Sequence, residues 1–200
     1  MYKRQHSEQI KWGNESVFNE EHNTLGLFSG VLGGQIVLAG GTSDDYSRWG
    51  RNAVCLSENA GFALYEDMLS KPLAYGASIT LSDGILCIGG RDSSQCYEDV
   101  FFVTMQQGKL NVSEDWPPLP FPLSNAAGAL LDNKVYLFGG RKSVSPSRLS
   151  DSFFVLDLSN KSRGWKELPG YPGCVREDAI LVVQNLSLIH ISEPTRLQLI

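Results

Sequence analysis

Arginine, tyrosine and threonine recur in this chain at places where a bound anion would need them. Three Gly-Gly pairs, Gly40-Gly41, Gly89-Gly90 and Gly139-Gly140, stand 49 and 50 residues apart, and the residues directly after them are Thr42, Arg91 and Arg141. Tyr75, in the string PLAYGAS, and Arg176, in CVREDA, each open a later strand-like run. A guanidinium offers a rigid fork of N–H donors that pairs bidentately with a carboxylate. Three arginines drawn to one surface of an acidic protein therefore point to a carboxylate ligand. Arg91 and Arg141 have another possible use, an ion pair with Asp92, Asp99 or Asp151 nearby in sequence, and both uses stay open at this level. Glu177 and Asp178 follow Arg176 directly. Successive strand residues face opposite sides, which directs Glu177 toward packing or solvent rather than toward the surface that Arg176 serves.

What spaces these residues is a repeating unit. From Asn125 the chain reads NAAGALLDNKVYLFGG, a polar stretch, DSFFVLDL, a short turn and GWKELP. That is four short alternating runs bounded by turn residues, the pattern of a propeller blade. A period near 50 residues is that of kelch repeats. The predicted fold is all-β, a kelch β-propeller fragment. It has four-stranded blades at about 25–70, 72–116 and 124–169, and the first strand of a fourth at 174–185. Residues 6–24 read as an incomplete preceding blade or a loop, and WPPLPFPL (116–123) as a connector in which proline ends strand pairing. Loops before the first strand and after the second crowd one mouth of a propeller's channel. Thr42, Tyr75, Arg91, Arg141 and Arg176 should gather there.

Composition excludes several functions. The formal net charge is −5 with no basic run, so the electrostatic footprint of a nucleic-acid binder is missing. No apolar run reaches the length of a membrane span. The four cysteines, Cys55, Cys87, Cys96 and Cys174, show no C-x-x-C spacing, and Cys55 and Cys87 sit in strand patterns as packing residues. Trp12, Phe62, Trp116 and Trp165 read as aromatics between blades. No cofactor or metal is expected, because His6 and His22 lie outside the blades and a copper site would need histidines. Both ends read as foreign. Residues 1–5 (MYKRQ) and Leu186–Arg196 (LSLIHISEPTR) match translations of the two strands of a transposase sequencing adapter. Natural sequence is accordingly expected from about His6 to Asn185, with 186–200 adapter-derived.

Four sets of strings carry a closer resemblance: FSG with IVLAGG, PLAYGAS with ILCIGG, NAAGA with VYLFGG, and WKELPG with CVREDA. Over residues 25–185 the chain resembles the kelch-type N-acetylneuraminate epimerases, the bacterial sialic acid mutarotases, and within them the cyclically permuted branch. The resemblance implies a six-bladed propeller, of which about three and a half blades are here, a periplasmic setting and a small sugar acid as partner. It implies cofactor-independent acid/base interconversion of N-acetylneuraminate anomers. Motif order puts the family's proposed acid/base glutamate beyond Asn185, so the catalytic residue is unknown within this chain. Arg176, Arg91, Arg141 and Tyr75 are the implied substrate contacts. Leu73 stands where the family has the arginine of R-A-Y-G. On this reading the chain is an incomplete, inactive fragment. The alternative is a kelch module that recognises acidic peptides with the same arginines.

Overall fold

The turns set the fold. At Gly33-Gly34, Gln107-Gly108 and Asp132-Asn133 both central residues have positive φ, as type I′ turns require, and the twist of such turns matches that of the strands they join. A computed structural model of the chain describes residues 25–57, 61–170, 177–184 and 187–191. The first sheet is β1 (Phe28–Leu32), β2 (Gln35–Ala39), β3 (Ala53–Ser57) and β4 (Gly61–Tyr65), antiparallel in chain order. The second is β5 (Ala77–Thr80), β6 (Ile85–Ile88), β7 (Val100–Gln106) and β8 (Lys109–Ser113). The third joins β9 (Ala127–Leu131), β10 (Lys134–Phe138), β13 (Phe153–Asp157) and β14 (Lys166–Leu168). Between β10 and β13 the polar stretch forms a small ribbon of β11 (Arg141–Ser143) and β12 (Arg148–Leu149). These are three four-stranded blades of a kelch β-propeller, with the turns at Ser82–Gly84 and Asp132-Asn133 and the proline-rich connector where the sequence put them.

The fourth unit departs from the expectation of a single strand. β15 (Ile180–Gln184) pairs in full register with β16 (Ser187–Ile191). β16 falls in the stretch that the sequence reading sets apart as foreign. SLIHI has the apolar and β-branched residues that favour a strand. The inner strands β1, β5, β9 and β15 succeed one another around the channel axis, each against the next. Side chains stitch them: Ser29 and Val31 donate their backbone N–H groups to the hydroxyls of Ser78 (3.0 Å) and Thr80 (3.4 Å).

The cores lie between blades. β6 is buried on both faces: Ile85 and Cys87 join Phe28, Val37, Cys55, Phe101 and Val103 on one side, while Leu86 and Ile88 join Phe102, Leu123, Val135, Leu137 and Phe154 on the other. Phe28 meets Phe101 edge-on at 5.1 Å, and Trp116 meets Phe102 at 5.0 Å. Burying each such side chain stabilises by about 1.5–3 kcal/mol, so the interfaces between blades hold the arc together. Trp165 packs on the second core and donates Nε1–H to the Pro117 carbonyl at 3.0 Å. Cys55, Cys87 and Cys96 are buried free thiols, and burial pushes Cys55 and Cys87 up from the ordinary thiol range. Phe62 joins neither described core. It sits half-exposed on the face of the first blade that turns away from the second. Trp12, His6, His22 and Cys174 lie outside the described residues.

Candidate functional site at the channel mouth

One position per blade builds the mouth. Just before each inner strand a residue adopts the left-handed region: Gly26 (φ 64°), Tyr75 (60°), Asn125 (55°) and Asp178 (54°). Their backbones are linked in series. Tyr75 N–H donates to the Gly26 carbonyl (2.7 Å), Asn125 N–H to the Tyr75 carbonyl (2.7 Å), and Asp178 N–H to the Asn125 carbonyl (3.0 Å). A left-handed tyrosine costs about 1–2 kcal/mol, and this rail of hydrogen bonds offsets that cost. The side chains of Tyr75, Asn125 and Asp178 line an open cavity of about 290 Å³.

The glycine pairs turn the chain away at the end of each second strand. Gly40 and Gly89 run against the carbonyls of Leu73 and Leu123, where a β-carbon would collide, and Gly41 and Gly90 donate N–H to those same carbonyls at 2.8 Å. These contacts fix the next residue, Thr42 or Arg91, beside the mouth. Arg91 is the clearest case. Its guanidinium carbon lies 4.7 Å from the Tyr75 ring centroid and 5.1 Å from that of Trp49, a cation set over the corner where these two tilted rings meet. Nη1 donates to the Asp92 backbone carbonyl at 3.4 Å, while Nε is buried with no hydrogen-bond partner. No carboxylate pairs with Arg91 among the described residues. Asp92 accepts instead from Tyr97, Ser94 and Gln95. Burial would raise its pKa, but those bonds outweigh it and lower the group to about 2. Asp99 is taken by Lys71 at 3.0 Å.

Tyr75 has its hydroxyl 3.4 Å from that of Tyr46. Burial first, and the Tyr46 contact second, push its pKa up to about 12, so at neutral pH it is a neutral hydroxyl. Asn125 donates Nδ2–H to Asp178 Oδ1 at 2.8 Å, and its Oδ1 is buried without a partner. Two polar atoms of this region are thus buried without a hydrogen-bond partner, the donor Arg91 Nε–H and the acceptor Asn125 Oδ1, and a buried polar atom left unpaired costs about 1–3 kcal/mol.

The remaining candidates are placed differently. Arg141 donates Nε–H and Nη2–H to Glu177 Oε2 and Oε1 at 2.8 and 2.7 Å. This bidentate pair between the third blade and the fourth unit raises the arginine's pKa further. Arg141 therefore pairs with a carboxylate, but with one 36 residues on rather than with a neighbour in its own blade. Thr42 is fully buried, its hydroxyl donating to the Arg48 carbonyl at 2.7 Å. Arg176 lies outside the described residues. Tyr75 and Arg91 come together as the spacing implied. Tyr46, Trp49 and Asn125 were missed, although Asn125 stands 50 residues after Tyr75 and the repeat register pointed to it. Among the described residues no cluster of three or more His, Cys, Asp or Glu side chains is placed to hold a metal.

The third blade carries a recognisable family motif. Residues 122–169 match the Kelch motif. The N-acetylneuraminate epimerase of Yersinia pestis (strain Pestoides F) is 32% identical over 71 residues, 36% of this chain and 16% of that protein. The N-acetylneuraminate epimerase of Vibrio cholerae serotype O1 is 31% identical over 83 residues, 42% of this chain and 20% of the relative. A Kelch domain-containing protein of the same organism is 33% identical over 67 residues, 34% and 17% of the two chains. The matched stretches are thus a fifth or less of these relatives' length. The solved structure of YjhT superposes with a TM-score of 0.67 at 12% identity, covering 83% of this chain and 61% of that one, a likeness of fold.

Proposed function

We propose that the mouth ringed by Tyr75, Asn125 and Asp178 takes a sugar acid, and that the chain is part of a protein of the N-acetylneuraminate epimerase type. The observation that carries this reading is Arg91, half-buried over the rings of Trp49 and Tyr75 with Nε unpartnered and no carboxylate of its own. A guanidinium so placed answers a ligand carboxylate. Asn125 Oδ1 accepts from a hydroxyl or amide N–H of the sugar, and Arg176 is the second cation in this reading. Exchange of anomers needs a proton delivered to the ring oxygen and another removed from the anomeric hydroxyl. Glu177 is committed to Arg141 and one oxygen of Asp178 to Asn125. The reading therefore assigns the acid/base group to no residue of the described mouth: the chain binds the sugar acid without speeding its exchange, and uses no cofactor.

The test is NMR of N-acetylneuraminate with the 200-residue chain, reading saturation transfer for binding and anomer exchange for turnover. Saturation transfer is expected with exchange at the buffer rate. Losing one charged hydrogen-bond partner costs about 1.5–3 kcal/mol, so Arg91→Ala should weaken binding about ten- to a hundredfold while Arg163→Ala, an exposed control, leaves it unchanged. A parent that shows no transfer, or an Arg91→Ala variant that binds like the parent, overturns the sugar-acid reading. Exchange faster than buffer would place the acid/base group within this chain.

A further inference from the structure

The stretch Thr42–Trp49 is polar and aromatic, and the sugar-acid reading uses nothing of it beyond the Trp49 ring. It is nevertheless tightly built. Asp45 Oδ1 accepts from the Ser43 hydroxyl (2.6 Å), the Ser47 N–H (3.0 Å) and the Ser47 hydroxyl (2.8 Å). Ser43 N–H donates to the Arg48 carbonyl, and Thr42 bridges to Trp49 at the root. Trp49 donates Nε1–H to the Tyr46 carbonyl at 3.1 Å, and Tyr46 N–H donates to the Ser43 carbonyl. What this scaffold holds up is Tyr46, 50% exposed and in the left-handed region at φ 58°. Its ring belongs to neither core, and its hydroxyl reaches Tyr75 at the mouth.

An exposed tyrosine in a strained backbone has no packing gain to explain it, and such strain collects where a side chain is held for a ligand. We infer that Tyr46 is a ligand-contacting residue of the mouth: its ring is a wall for the apolar C–H face of a pyranose, and its hydroxyl, beside that of Tyr75, meets the sugar's hydroxyl edge. Tyrosine suits this use because a rigid amphipathic ring gives contact area and a hydrogen bond at little entropic cost. Arg91 would hold the acid group and Tyr46 the ring, so the inference rests on the sugar-acid reading but invokes a different residue and a different part of the ligand.

The test uses the 200-residue chain with Tyr46→Gly and Tyr46→Phe, titrated with N-acetylneuraminate and with a neutral methyl pyranoside by saturation-transfer NMR with aromatic irradiation. Glycine adopts positive φ freely, so Tyr46→Gly should melt at or above the parent temperature while binding about tenfold more weakly and losing transfer to the ring C–H protons. Tyr46→Phe should stay within about threefold of the parent. A residue kept for structure would behave the other way, with Tyr46→Gly less stable and its binding unchanged, and that result overturns the inference. Sugar-acid binding lost in Arg91→Ala but untouched in Tyr46→Gly also overturns it while keeping the sugar-acid reading. Binding of the neutral pyranoside alone, dependent on Tyr46, keeps the wall and removes the reading. No binding of either sugar removes both.

Discussion

Gly26 is a glycine because Tyr75 lies on it. A β-carbon there would stand 2.9 Å from Cδ1 and Cγ of the Tyr75 ring and from its backbone nitrogen, and the position is left-handed besides. Gly26→Ala should therefore carry two penalties, about 1–2 kcal/mol for the backbone and a further displacement of the ring that backs Arg91. The expected outcome is an unfolding free energy from urea titration lower by that amount or more, together with weaker sugar-acid binding. Tyr75→Phe keeps the ring and should lose affinity with stability nearly unchanged. Equal stability of Gly26→Ala and the parent would mean that Tyr75 is not seated as described. Tyr75 and Arg91 were legible from the sequence because each occupies a repeat position, and a repeat converts spacing into place. Thr42 occupies the same position after its glycine pair as Arg91, yet its short side chain turns inward to the Arg48 carbonyl. Spacing locates the backbone; it does not say whether the side chain can reach the mouth.

At the scale of elements, two attachments decide the shape of the mouth. The Thr42–Trp49 loop depends on one ionised carboxylate. Asp45 is held down at about 2 by the hydroxyl of Ser43 first and then by the N–H and hydroxyl of Ser47. Because the folded pKa lies below the ordinary value of 3.8, the loop's stabilisation is full above about pH 4 and is lost as pH falls through 2. Trp49 emission should shift across that window, and Asp45→Asn should show the acid-form emission at pH 7. An Asp45→Asn spectrum identical to the parent's would show that the carboxylate does not hold the loop. The other attachment is the Arg141–Glu177 fork. Lysine cannot reproduce its two parallel bonds, so Arg141→Lys should cost about 1–2 kcal/mol and lower the hydrogen-exchange protection of β15 while sparing β5–β8. Blades were readable from turn chemistry and alternation, since those signals are local. The fork was not, because Glu177 lies 36 residues from Arg141 and no local pattern names a partner across blades. The pairing of β15 with β16 escaped for a different reason: the run after Asn185 reads as foreign to the repeat, whereas strand pairing responds only to the residues that make it.

Across the whole molecule, blades stabilise one another face to face, and that makes the first blade's far face the place to look for association. The register lines up Val31, Ile36 and Leu56 in one row across β1–β3. Val31 and Ile36 are 51% and 49% exposed, with Leu64 on the same face at 43%. The opposite face of the same sheet, through Val37 and Cys55, is buried against the second blade. Exposed apolar side chains lined up on one sheet face make a surface that water disfavours and another sheet can cover. The chain should therefore associate with itself in a concentration-dependent way through this face. Val31→Thr with Ile36→Thr keeps β propensity while removing two large apolar side chains. Each such side chain is worth about 1.5–3 kcal/mol when fully buried. Even half of that from the pair should weaken association about tenfold or more. Sedimentation velocity over a wide concentration range reads this directly: the parent's mean mass should rise with concentration and that of the double variant should stay near one chain. A parent that remains at 22.0 kDa throughout would show the face to be shielded. A double variant that associates as strongly as the parent would move the contact to another surface, with the exposed Ile180 and Val183 of the fourth unit the next to replace.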